Sequence, residues 1–200
     1  MKQVWILAGI LAVFPLKALA CEGPVVVCDG VSAEGFALIK GGVPATVYVA
    51  ADAPKPVRRV AEDFAADLER VSGRRPAVVH DLKALSGDVV VIAEAGSGQW
   101  ESYVQTVVSR PDGGKSLMIT GADPRGTIYG AYDISAKMGV SPWYWWADVP
   151  VVKKTDLYVT AGYRSDAPKV KYRGFFINDE EPSFGGWARE KFGGINRDLY

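Results

Sequence analysis

Val170-Lys-Tyr-Arg-Gly-Phe-Phe-Ile177 runs without a break into Asn178-Asp179-Glu180-Glu181-Pro182. The first eight residues turn apolar toward their end and predict a strand. The acids then stand just past its carboxyl end, where α/β barrels place their catalytic groups. With side chains alternating across the strand, Arg173, Phe175, Ile177 and Asp179 share one side and Phe176, Asn178 and Glu180 the other. The bland reading is an acidic loop in water, and spacing alone does not separate the two. Asn178-Asp179 is nevertheless the sharpest chemical signal in the chain.

Upstream of this strand, short strands and two helices alternate from about residue 33 to 160. Phe36 to Lys40 and Thr46 to Ala51 predict the two arms of a hairpin turning at Gly41-Gly42. Pro54 to Ser72 predicts a helix, because Val57, Val60, Ala61, Phe64, Ala65, Leu68 and Val71 recur at three- and four-residue steps. Gly73 ends it. Its charges, Asp67 and Arg70 among them, fall on the other face and predict a solvated surface. Asp88 to Ala93 is β-branched and almost wholly apolar, the mark of a central strand. Ser102 to Ser109 and Lys115 to Thr120 alternate and pair across Pro111-Asp112-Gly113-Gly114. A second helix is expected from Pro124 to Met138, capped by Asp123 and closed by Gly139. Ile128, Ala131, Tyr132, Ser135 and Met138 form its stripe. Thr160 to Lys169 reads as a polar connector. The mixture predicts a layered α/β (α+β) domain, complete in itself, before the final strand begins.

The chain has 200 residues, 48% hydrophobic and 23% charged, so it can bury a core. Lys+Arg (23) and Asp+Glu (23) cancel, which leaves no bulk electrostatic case for nucleic acid or an anionic membrane. Two cysteines and one histidine, His80, cannot build a four-ligand Cys/His zinc site. Lys2, the apolar run Val4 to Leu16 and Ala18-Leu19-Ala20 predict a secretory signal peptide cleaved after Ala20. That run, interrupted by Pro15, is too short for a bilayer span of about 20 residues. Cys21 next to the cleavage site also admits a lipoprotein reading, though Ala18 stands where a lipobox wants Leu. Cys21 and Cys28 in an oxidising compartment are compatible with a small disulfide loop or with two unrelated thiols.

Two further motifs have bland and sharp readings. Gly121 to Thr127 has the glycine spacing of a phosphate loop but lacks the lysine before Thr127, so it reads as a capped strand-to-helix turn. Trp143-Tyr144-Trp145-Trp146 could stack on sugar rings. Its position just before the connector favours an interdomain plug.

At these residues the chain resembles a family. Arg125 to Ser135 (RGTIYGAYDIS), Gly139 to Pro150 (GVSPWYWWADVP), Lys169 to Glu181 (KVKYRGFFINDEE) and Lys191 to Asn196 (KFGGIN) look like the amino-terminal third of glycoside hydrolase family 115, the xylan α-glucuronidases. The resemblance implies a signal peptide over 1–20, a leading α/β domain without catalytic groups over 21–165, and over 166–200 the start of a (β/α)8 barrel. It implies inversion of configuration, no metal and no cofactor, and glucuronoxylan or its oligosaccharides as substrate. It further implies an exported protein, periplasmic or extracellular, with no nucleic-acid partner and no membrane span; dimerisation of the parent stays open. By the same resemblance Asp179 is a carboxylate of the active site and Asn178 a hydrogen-bond partner of the glucuronic acid. An inverting pair needs carboxyl groups about 6.5–9.5 Å apart, and the partner of Asp179 is not identifiable here. A barrel takes about 250 residues, so the stretch from Lys171 to Tyr200 supplies one strand, its loop and the start of a helix, and the chain alone is expected to be inactive. The alternative is an exported carbohydrate-binding or interaction module that presents the Trp143 to Trp146 surface without catalysis.

Overall fold

A computed structural model of the chain describes residues 27–28, 35–160, 162–178, 180 and 182–199. The expected signal peptide and Cys21 lie outside the described residues, and with them the pairing of Cys21 with Cys28. The chain divides into two compact units, Met1–Ala167 and Pro168–Tyr200.

The first unit runs β1 (Val27–Cys28), β2 (Phe36–Lys40), β3 (Val43–Pro44), β4 (Thr46–Tyr48), α1 (Lys55–Ser72), β5 (Val78–Val79), β6 (Val89–Glu94), β7 (Tyr103–Ser109), β8 (Lys115–Gly121), α2 (Pro124–Lys137), α3 (Trp143–Trp146), β9 (Leu157–Val159) and β10 (Tyr163–Arg164). Two sheets result. An antiparallel one has the order β1-β9-β2-β3, and a mixed one has the order β10-β7-β8-β6-β4-β5. In the mixed sheet β8, β6, β4 and β5 are parallel, β7 runs against them, and β10, antiparallel to β7, shares their direction.

The apolar run of β6 lies inside this sheet, between β8 and β4, with Val89, Val90 and Ile92 buried. A strand covered on both faces has no polar side to show, hence the unbroken Val-Val-Val-Ile. Helix α1 buries all seven residues of its periodic stripe, and Gly73 closes it at φ 84°. Each fully buried Val, Leu or Phe there contributes about 1.5–3 kcal/mol of apolar transfer. β7 and β8 pair as expected, in the register Tyr103 opposite Gly121 through Ser109 opposite Lys115.

Four expectations are corrected. The Gly41-Gly42 turn, positive in φ at both residues, joins β2 to Val43–Pro44. Thr46 onward leaves for the other sheet, where it runs parallel to β6. Ala45 N makes one further bond to Leu38 O, at 3.0 Å, before the chain departs. The buried stripe of α2 is Gly126, Thr127, Gly130, Ala131, Ile134 and Ser135, and Tyr132 is exposed. Glycines 126 and 130 turn that face to the sheet. A Cβ on Gly126 would lie 2.2 Å from the Ser102 carbonyl oxygen, and one on Gly130 2.9 Å from Ile119 Cγ2. Asp67 is buried rather than solvated. Tyr163–Arg164, inside the expected connector, pairs with β7.

The phosphate-loop resemblance resolves into a cap. Asp123 accepts from Gly126 N (2.8 Å) and from Glu101 N (2.7 Å), and the Thr127 hydroxyl donates to Ala93 O (3.1 Å).

Candidate functional site

The second unit carries the acidic motif. Val170 to Ile177, expected as a strand, forms no ladder and belongs to neither sheet. A strand needs a partner to satisfy its backbone, and the described residues of this unit contain one helix and no strand to supply it. Phe175 and Phe176 are 98% and 96% exposed. Arg173 folds back to donate to the Val170 carbonyl.

After Ile177 the chain turns locally. Asn178 Oδ1 accepts from Glu180 N at 3.1 Å, an Asx turn. Ser183 stands at the amino end of α4 (Phe184–Phe192) yet makes no side-chain cap. Its hydroxyl reaches backward instead, to the carbonyls of Asn178 (3.3 Å) and Glu180, and its N–H bonds Glu180 O at 2.9 Å. The loop is thus drawn onto the start of the helix by Ser183. The helix is steadied by Trp187, whose ring lies 5.4 Å from those of both Phe184 and Phe192, and it ends at Gly193 with φ 75°. Asn178 and Glu180 are exposed. Asp179 and Glu181 lie outside the described residues, so the geometry of the expected catalytic carboxylate is not described.

A second candidate surface lies in the first unit. Helix α3 is a single turn, and Trp143, Trp145 and Trp146 expose 57%, 46% and 40% of their surface. Trp143 and Trp146 meet edge-on, 6.0 Å between centroids. Tyr144 packs inward against the core, under the guanidinium of Arg70 at 4.3 Å. Arg70 is in turn paired with Asp67 at 2.8 Å.

An open groove of about 640 Å³ is lined by Lys40, Pro44, Thr46, Asp88, Asp112 and Gly114, among others. It opens at the amino ends of β4, β6 and β8, whereas ligands of α/β sheets bind at the carboxyl ends. Its acids already serve the fold: Asp88 accepts from Lys115 N and Asp112 pairs with Arg110. Among the described residues, no group of three His, Cys, Asp or Glu side chains is placed to hold a metal ion, and no helix is long and apolar enough to cross a membrane.

Comparison with known proteins now bears on these features. Residues 165–200, the stretch that holds Asn178 and Asp179, match Glycosyl hydrolase family 115. The solved structure of a family GH115 4-O-methyl-α-glucuronidase with specificity for decorated arabinogalactans superposes with a TM-score of 0.62 and 26% identity. The match covers 81% of this chain and 22% of that enzyme. The chain is similar to the amino-terminal portion of glycoside hydrolase family 115. Family 115 likeness therefore reaches both units, the first by fold and the second by sequence. A β-hexosaminidase of Streptomyces plicatus is more distant: 19% identity over 75% of this chain and 26% of that one, TM-score 0.44. No protein of curated function matches by sequence.

Sequence reasoning missed Ser183 and the Asp67–Arg70–Tyr144 cluster. A serine just before a helix is a visible signal, but it suggests a cap rather than a backward clasp. The cluster joins a pair one turn apart in α1 to Tyr144, distant along the chain, and no local pattern announces that contact.

Proposed function

We propose that the chain is the amino-terminal portion of an exported, inverting α-glucuronidase. The parent enzyme removes glucuronic acid, or its 4-O-methyl ether, from polysaccharide side chains. The observation that carries this reading is the family 115 match at 165–200 in a chain whose fold is also similar to a family 115 glucuronidase. In this reading residues 1–20 are the export signal, and the first unit is a leading domain without catalytic groups. Val170 to Ile177 is the first strand of a (β/α)8 barrel and gains its ladder from strands that this chain does not contain. The chain spans about 22% of the length of the similar glucuronidase.

Asp179, at the carboxyl end of that strand, is a carboxylate of the sugar pocket. Inversion needs one carboxylic acid to protonate the glycosidic oxygen. A second carboxylate takes a proton from the water that attacks the anomeric carbon on the opposite face. Asn178 contributes an amide, able to donate to the uronate carboxylate or a ring hydroxyl. The Asx turn at Asn178 and the Ser183 clasp hold the loop close against the start of α4.

Glucuronoxylan is the substrate we propose, and arabinogalactan is the comparison that the similar enzyme suggests. The test incubates the full-length gene product with 4-O-methylglucuronoxylan and with glucuronic-acid-decorated arabinogalactan, and follows the released uronic acid by proton NMR. Release with the β-anomer appearing first is expected, with xylan preferred, and none from the 200-residue chain. No release from either polymer by the full-length protein overturns the glucuronidase reading. The exposed indoles favour a second reading, a carbohydrate-binding surface without chemistry. Retention of polymer with no uronic acid released would mark that outcome.

A further inference from the structure

We infer that Asp67, Arg70 and Tyr144 form a latch that positions the aromatic turn, and that mild acid opens it. Helix α3 is four residues long; Pro142 gives it no side-chain cap, and a bond from Trp143 N to Ser141 Oγ at 3.2 Å ties its start to the preceding turn. One turn of helix has no stability of its own, so its orientation comes from what it rests on. Tyr144 is its residue packed against the core. Arg70 covers the outer face of that ring at 4.3 Å, a cation–π contact. Asp67, 5% exposed, holds Arg70 by an ion pair of 2.8 Å across one turn of α1. A long arginine side chain has many rotamers. The carboxylate selects the one that stacks.

The groups that face Asp67 come from three helices. From α1 they are Arg70 and Asp63, the latter paired with Arg59 at 2.9 Å. From α2 they are the Ser135 hydroxyl, close to Asp67 though without a hydrogen bond of regular geometry, and Tyr132, whose hydroxyl donates to Asp63 at 3.1 Å. From α3 the facing group is Tyr144. Burial pushes the Tyr132 phenol up to about 12 and raises that of Tyr144 as well, so both stay neutral throughout the acid range. Burial also raises the Asp67 carboxyl above the ordinary carboxylate range, with Ser135 and Arg70 pulling partly against it.

The direction follows from linkage. Opening here means that Arg70 leaves while Asp67 stays buried against α2. Burial, the largest influence on the carboxyl, is unchanged, and the charge that favours its ionised form is lost. The open latch binds a proton more tightly than the closed one, so acid favours opening. The folded chain, latched or not, binds that proton more tightly than the unfolded chain. From this carboxyl, global stability is therefore fully present below the unfolded value of about 3.9. It is lost as pH rises through the raised folded value. Local order at the indoles and global stability thus move in opposite directions with pH, which a carboxylate of purely structural role would not produce.

The test follows near-UV circular dichroism of the 200-residue chain from pH 8 to pH 4, with the far-UV signal monitoring overall fold. A loss of tryptophan dichroism at mild acid is expected while the far-UV signal holds. Asp67→Asn should abolish that step, and Asp63→Asn should retain it. Arg70→Met should show the acid spectrum already at pH 8, and Arg70→Lys should restore only part of the difference. If Asp67→Asn fails to fold, Tyr144→Leu must remove the step instead. A flat near-UV profile in the parent chain, or a step that persists in Asp67→Asn or in Tyr144→Leu, overturns the latch.

Discussion

Asn178 and Ser183 spend their hydrogen bonds on closing the loop that contains Asp179. Asp179→Asn keeps the shape and removes the titrating oxygen. In the full-length protein we expect turnover on glucuronoxylan to fall at least about a hundredfold, the scale of acid/base contributions, with the thermal midpoint unchanged. Wild-type turnover would remove Asp179 from the site. Asp179 stands out in the sequence because a run of acids just past an apolar stretch is conspicuous. Asp67 does not, because its charge sets it among Arg59, Glu62 and Glu69, which are exposed. Its position says otherwise: three residues after Phe64 and four before Val71, it borders the buried stripe of α1.

Among the elements, the extent and apolar stripe of α1 were readable because a long amphipathic helix repeats its signal over several turns. The stripe of α2 was misread because a glycine face looks like no face at all. Its backbone approaches β8 and the loop before β7 so closely that the sheet occupies the space of a side chain. Gly126→Ala puts a Cβ 2.2 Å from the Ser102 carbonyl oxygen, a backbone atom that cannot swing aside. The helix must lift, and the Asp123 cap and the Thr127 bond to Ala93 lift with it. We expect a loss of about 1–3 kcal/mol, the range of overpacking, read as a lower urea midpoint of the 200-residue chain. An unchanged midpoint would show that the helix has room. The two-residue strands β3 and β10, and the partner of the expected strand β4, were beyond sequence reading for another reason. A strand that short takes its identity from the partner that binds it, and its own pattern is too brief to carry a period.

On the scale of the whole molecule, the two units differ in how their backbone is satisfied. The first unit closes its N–H and C=O groups in two sheets and two long helices. In the second, residues 169 to 178 run without a ladder, and Tyr172, Phe175 and Phe176 stand almost fully in water. Proteolysis requires accessible, unpaired backbone, and local opening there costs little. Chymotrypsin cuts after aromatic residues, so limited digestion of the 200-residue chain should cleave first at Tyr172, Phe175 or Phe176. It should leave a fragment that ends in that stretch and holds the first unit, resistant to further digestion and measurable by mass spectrometry. In the full-length protein the same bonds should survive, because barrel strands would occupy both edges of Val170 to Ile177 and cover its phenylalanines. Equal cleavage of the short and full-length chains at these bonds would mean that the segment gains no partners from the rest of the protein. The strand from which Asp179 was first read as catalytic would then not exist.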